Sequence, residues 1–238
     1  MFAQIAALSL PSRQLDLPGP ELLPSRLMRA TAQVLPVAGA GLSLFSDHHR
    51  VPLGASDDTA VLAERLQFTV GEGPCLTAHV QDRAVVATAH EMAIRWPIFH
   101  NELLTHTPYR AIVSLPIDID KFRAGAAMDL YYTEPQPQLS QETLEEIETA
   151  TDIITALLVA NSGLIDDPDT EPTWLTNDAA VARSQVWIAI GMLNVALNLP
   201  ADQALATLRS YAYGRNRTID DIARNITDRE LPVEALAP

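Results

Sequence analysis

One cysteine in 238 residues, Cys75, excludes an intrachain disulfide and suits a reducing compartment. Long apolar runs are lacking as well: the most apolar stretches, residues 153–160 and 186–193, fall far short of the roughly 20 residues a bilayer demands. No positive charge precedes the short apolar run in the N-terminal MFAQIAALSLPSR, which makes a poor secretory signal. These absences predict a cytoplasmic protein with no membrane partner. Metal-ligand spacing is missing too, since the six histidines lie scattered upstream, with His48 and His49 in a turn and His100 and His106 six apart. Gly71-Glu72-Gly73 lacks the longer glycine pattern and the lysine of a phosphate loop. Glu72, Cys75 and His79 lie close in sequence yet supply no assignable nucleophile, base and orienter. The chain is therefore expected not to be an enzyme, and no cofactor is indicated.

What remains is a hydrophobic fraction of 47% and a charged fraction of 19%, the balance of a globular protein. The net charge of −14 is unevenly spread. Residues 1–172 carry 10 basic against 23 acidic residues, whereas residues 173–238 carry 6 against 7. Phosphate binding needs cations, so the near-neutral C-terminal part is the one compatible with nucleic acid. Its cations are all arginines, whose planar forks suit phosphates, base edges and ring stacking.

Along the chain, residues 20–35 read as an amphipathic helix, with looser residues before it. GAGLSLFS, residues 39–46, alternates, with Leu42 and Leu44 on one side and Phe45 on the other; residues 50–55 return beside it across a turn at 46–49. Asp57 and Asp58 open a helix, and the glycines and proline of 71–74 mark a tight loop before another. A short strand at 84–87 and a helical segment from Arg95 follow. RAIVSLPI (110–117) and AGAAMDLYY (124–132) are the best strands, with Gly125 permitting a close approach. Ser140 caps a long helix to Ala160 whose apolar face is Leu144, Ile147, Ile154, Leu157 and Leu158. This order describes an α+β domain over 20–164 with an antiparallel sheet and flanking helices. The acidic, proline-bearing DDPDTEPT falls in a linker, 165–176.

Three helices are then predicted within 177–231. In the first, Val181, Ile188, Met192 and Val195 form one stripe, flanked by Ala189 and Leu193, and with Trp187 and Ile190 the apolar residues extend beyond that one stripe. That excess points either to a helix buried all round in its own domain or to a second buried surface against the upstream domain or a partner. Pro200 starts the second helix, 201–213, and Gly214 is placed at its left-handed cap. Thr218 and Asp221 form a capping-box pattern for the third helix, 219–229.

The pattern Val186-Trp-Ile-Ala-Ile-Gly-Met-Leu-Asn, then Ala204-Leu-Ala-Thr-Leu-Arg-Ser-Tyr-Ala, then Arg217-Thr-Ile-Asp-Asp-Ile-Ala-Arg-Asn-Ile resembles the ANTAR domain, an RNA-binding three-helix module of bacterial antitermination regulators. Upstream, Phe68-Thr-Val-Gly-Glu-Gly-Pro-Cys75, Arg95-Trp96-Pro97-Ile98-Phe99 and Ala126-Ala-Met-Asp-Leu-Tyr131 resemble the GAF sensor domain that precedes ANTAR domains in actinobacterial proteins. The resemblance implies a signal-responsive regulator that binds paired RNA hairpins in leader transcripts and works as a homodimer, with the long helices flanking the sensor as its contact. Hairpin loops expose bases on which arginine or tyrosine can stack, and a dimer engages two at once.

The resemblance makes Arg209, Tyr213, Arg215, Arg217 and Arg224 the RNA-binding candidates, and Glu72, Cys75 and Trp96 the candidates for a small-molecule ligand in the sensor. Where the ANTAR pattern has Gln-Ala-Lys-Gly, this chain reads Ile188-Ala189-Ile190-Gly191. That change moves the expected RNA surface to the second helix and the 215–217 connector, and makes the first helix a candidate for a buried contact. The alternative is a ligand-sensing or protein-interaction module that has lost RNA binding. Cys75 has two readings: a redox-active thiol, which needs a lowered pKa and access, or a small buried side chain.

Overall fold

Alternation along three strands sorts this chain's side chains onto two covered faces of a sheet. The computed structural model describes residues 1–46, 49–119, 124–162, 172–176 and 178–237. Its elements run α1 (Phe2–Leu8), α2 (Leu23–Val34), β1 (Gly39–Ser46), β2 (His49–Ala55), α3 (Asp58–Val70), α4 (Pro74–Gln81), β3 (Val85–Ala87), α5 (Ala89–Arg95), α6 (Pro97–His106), β4 (Ala111–Ile119), β5 (Ala124–Tyr132) and α7 (Gln141–Ala160). Then come α8 (Asp178–Leu197), α9 (Ala201–Tyr213) and α10 (Ile219–Thr227). The five strands form one sheet in the order β2-β1-β5-β4-β3, with every pair antiparallel.

On one face Leu42 and Leu44 of β1, Val113 and Leu115 of β4, and Met128 and Leu130 of β5 join Leu27 of α2 and Ile147, Ile154 and Leu158 of α7 in the largest core. The opposite face is covered as well: Ile112 and Tyr131 pack with Ala63 and Leu66 of α3, Met92 of α5, and Phe99 and Leu103 of α6. The result is a mixed α/β architecture with an antiparallel sheet and helices on both sides. Gly54 lets β2 lie directly on α2, since a Cβ there would stand 2.4 Å from the Ser25 nitrogen. Gly125 makes similar room for His79, whose ring stacks on Phe45 at 4.1 Å.

Several expectations are corrected. The residues before Pro20 are built into the fold: α1 buries Ile5 completely, and the Arg26 guanidinium donates to the carbonyls of Ser9 (2.8 Å), Leu17 (2.8 Å) and Gly19 (2.5 Å). A capping box, Thr88 with Glu91, starts the additional helix α5, which lies ahead of the helical segment expected from Arg95. Of the expected linker, residues 165–171 lie outside the described residues, while Thr173–Thr176 is a 3-10 turn whose Trp174 is fully buried in the largest core. An indole needs such cover, so this end of the segment is part of the folded unit. The turn expected at 46–49 also lies partly outside, at 47–48.

The C-terminal helices share a third core. Its contribution from α8 is Val186, Ile190 and the predicted flanking residues Ala189 and Leu193, with Met192 packed against them, whereas Val181, Ile188 and Val195 of the predicted stripe are 49%, 51% and 83% exposed. The helix is apolar nearly all round, so periodicity could not select the buried side. Gly214 adopts right-handed φ −62°; the left-handed residue of the connector is Asn216, at φ 52°. Asparagine tolerates that region by bonding locally. The third helix stops at Thr227, two residues earlier than expected, and Arg229 takes a positive φ of 62°. Among the described residues no single helix is long and apolar enough to cross a membrane.

Candidate functional site

The covered second face of the sheet carries polar residues at three strand positions, Ser43 of β1, Ser114 of β4 and Asp129 of β5, and α3 answers them with Glu64 and Gln67. All five are buried, together with Arg50, Cys75 and Tyr131. Burial obliges such groups to pair, and they do so as one network. Glu64 accepts from the Tyr131 hydroxyl (2.6 Å) and the Ser43 hydroxyl (2.8 Å), and forms a close ion pair with Arg50. Arg50 also donates to the Glu64 carbonyl (3.0 Å) and toward Cys75 Sγ (3.6 Å). Asp129 accepts from Ser114 (2.5 Å) and from Gln67 Nε2 (2.6 Å), while Gln67 Oε1 accepts from the Cys75 backbone N–H (3.1 Å). Thus α3, the sheet and the N-terminus of α4 are held through one set of side chains.

Burial, reinforced by the charge of Glu64, pushes the Asp129 carboxyl up to about 8. Burial, then Asp129, pushes the Cys75 thiol well above its ordinary range. A nucleophilic or redox-sensing cysteine needs the opposite shift, so Cys75 behaves here as a buried thiol. Glu64, Cys75 and Asp129 bring one ligand atom each within 4.8 Å of one another. The Arg50 guanidinium already bridges Glu64 and Cys75, so an entering metal ion would have to displace it. Arg50 Nε is buried without an acceptor among the described residues.

The sequence-predicted ligand residues divide. Cys75 belongs to the buried network, whereas Glu72 and Trp96 line a surface groove of about 310 Å³ with Gly71, Gly73, Leu76 and Thr77. The Glu72 carboxylate accepts from the backbone N–H groups of Ile98 (3.0 Å) and Phe99 (3.1 Å), capping the N-terminus of α6. Trp96 is buried, with the Arg95 guanidinium 4.2 Å over its ring. Glu72→Ala should therefore cost about 1 kcal/mol in thermal or urea unfolding, the usual loss for a helix cap. Arg50, Glu64, Asp129 and Tyr131 were missed by sequence reasoning. The available signal was a set of polar residues at strand centres, which an antiparallel sheet with one wet face would direct to solvent.

Of the predicted RNA-binding residues, Arg215, Arg217 and Arg224 are exposed, and Tyr213 is 47% exposed. Arg215 stacks on Tyr211, 3.4 Å from its ring centre. The connector is fixed by backbone bonds from Arg215 and Arg217 to the Ala212 carbonyl, both 3.1 Å. Arg209 faces elsewhere: its Nε donates to the Phe68 carbonyl (3.1 Å), and its guanidinium lies 5.1 Å over the Phe68 ring. Trp187 meets the same ring edge-on at 6.3 Å, so part of the apolar excess of α8 is spent on the end of α3.

No protein-family model matches the chain, and no curated protein matches it. Solved structures do. Over 70% of its length the chain is similar to the phycocyanobilin-bound GAF domain of a cyanobacterial phytochrome, covering 95% of that domain at 12% identity and a TM-score of 0.47. The GAF domain of the Acinetobacter phosphoenolpyruvate-protein phosphotransferase aligns with 66% of the chain and 91% of its own length, at 10% identity and a TM-score of 0.44. An N-acylhomoserine-lactone-dependent LuxR-family transcription factor of Burkholderia cenocepacia aligns over 67% of the chain and 94% of its own length, at 13% identity and a TM-score of 0.47.

Proposed function

We propose that the chain is a non-enzymatic, signal-responsive antitermination regulator in which a GAF-like ligand-sensing domain controls a C-terminal, ANTAR-like three-helix unit that binds paired RNA hairpins. The observation that carries the RNA reading is the outward set Tyr213, Arg215, Arg217 and Arg224, borne by the one part of an acidic chain that is close to neutral. The sequence motifs of the two domains, in that order, agree with it. For the sensor, the support is the buried network: it ties three elements together, and its spare Arg50 Nε donor would meet the oxygen of an entering ligand. A homodimer presents two such units to paired loops.

Titrating the full chain against a tandem-hairpin leader RNA at two salt concentrations tests this. About three phosphate contacts predict a log–log salt slope of about −2 for single-stranded loops. Arg215→Gln with Arg217→Gln should flatten the slope and weaken binding; no binding even at low salt would overturn the proposal.

A second reading keeps the sensor and uses the C-terminal helices for protein assembly alone. It is favoured by the exposed Val181, Ile188 and Val195, spaced seven apart on α8. An Ile188→Lys variant whose light-scattering mass equals that of the parent chain would count against it.

A further inference from the structure

The end of α3 and the C-terminal helices cap each other. The last carbonyls of a helix lack intrahelical partners and carry the negative end of its dipole. At α3 the Phe68 carbonyl is one of these, and Arg209 supplies both a donor and a positive charge to it. The first N–H groups of a helix are orphaned in the same way. At α10 that of Ile219 donates to the Thr69 hydroxyl oxygen (3.2 Å). Gly71, at φ 80°, ends α3 and leaves space for the arginine: a Cβ there would stand 2.7 Å from a guanidinium nitrogen. Phe68 is buried in the core of the C-terminal helices, among Val186, Leu208 and Ile222.

These contacts sit one residue from the buried network. Gln67, bonded to Asp129 and to the Cys75 backbone, is followed at once by Phe68 and Thr69, so three consecutive residues face first the sensor interior and then the C-terminal unit. Arg209 is held where burial and the neighbouring Arg50 both disfavour its charge, its pKa being lowered to about 10.

We infer that this reciprocal capping is an autoinhibitory latch: it withholds Arg209 and the start of α10 from RNA, and a shift of the α3 end releases both. The inference rests on the RNA-binding function proposed above. A rearrangement of the network that moves Gln67 moves the two caps with it, which gives the sensor a mechanical route to the output helices.

The test uses the full chain and two readouts. Phenylglyoxal modification, followed by peptide mass spectrometry, reports access to Arg209, with the exposed Arg224 as internal standard. Tandem-hairpin RNA titration reports output. In the parent chain Arg209 should react at least about tenfold more slowly than Arg224, as for an open state populated at about 10% or less. Thr69→Val with Phe68→Leu removes the hydroxyl that accepts from the Ile219 N–H and the ring beneath Arg209, leaving the Phe68 carbonyl alone to hold the arginine. This variant should bring the two rates within about threefold and tighten RNA binding by about tenfold, as the competent fraction approaches unity. Adding Arg209→Gln should abolish that gain. If the double variant fails to fold, Thr69→Val alone, which conserves volume, should shift both readouts in the same direction.

Equal reactivity of Arg209 and Arg224 in the parent chain would overturn the latch, as would a freed Arg209 with unchanged RNA affinity; the second outcome leaves RNA binding standing. If Arg209 is freed and neither chain binds RNA, the RNA reading fails and takes the latch with it.

Discussion

Glu64→Ala is expected to lower the free energy of unfolding by about 3–5 kcal/mol, because it strands a buried guanidinium. Arg50 and Glu64 are both nearly inaccessible, and the carboxylate also accepts from Ser43 and Tyr131, so one truncation removes an ion pair and two hydroxyl partners. Urea denaturation monitored by tryptophan fluorescence measures the loss. A change below about 1 kcal/mol, the range of exposed pairs, would mean that Arg50 reaches water. Replacing the pair together by apolar residues of similar volume should cost less than either single truncation, since no charge is then left unpaired.

The second large effect is a pH dependence of unusual sign for a carboxyl group. Asp129 titrates near 8 when folded, against about 3.9 in an unfolded chain. Between these values the folded state holds a proton that the unfolded state has lost. Its contribution to stability is therefore complete below about pH 4, falls as pH rises by at most about 1.4 kcal/mol per unit, and levels off above about 8. Asp129→Asn imitates the protonated form and should remove this slope, so the variant gains on the parent chain as pH rises from 5 to 8. Urea midpoints at several pH values give the comparison; a difference independent of pH would show that the carboxyl is already ionised in the folded chain.

Local signals made much of the secondary structure legible. Strand β5 spans the 124–132 that the sequence predicts, because alternation and a glycine near its start are properties of the strand itself. The cap at Ser140 and the two faces of β1 were readable for the same reason. Helix α1, with no side-chain cap and a weak composition, is ordered by tertiary contacts that no local pattern announces. On α8 the choice between Ile188 and Ile190 depends on where the neighbouring helices lie. The buried network was hidden for a related cause: Asp129 and Ser114 sit in register across β4 and β5, and only the covering α3 distinguishes a solvated pair from a buried one. Arg209 was legible as an arginine on a helix, but its partner Phe68 lies 141 residues away.

The sheet's margins bear on colloidal behaviour. On one side it ends in β3, three residues long, and on the other in β2, which carries Pro52 and lies against α8. A short edge, a proline and a covering helix are all means of denying a foreign strand a place to add. If the C-terminal helices swing away, the β2 margin loses one of these guards, so the released form should be more prone to precipitate on storage than the docked one. Activation in this chain would then carry a cost in solubility, and occupancy of the released form would be best kept brief.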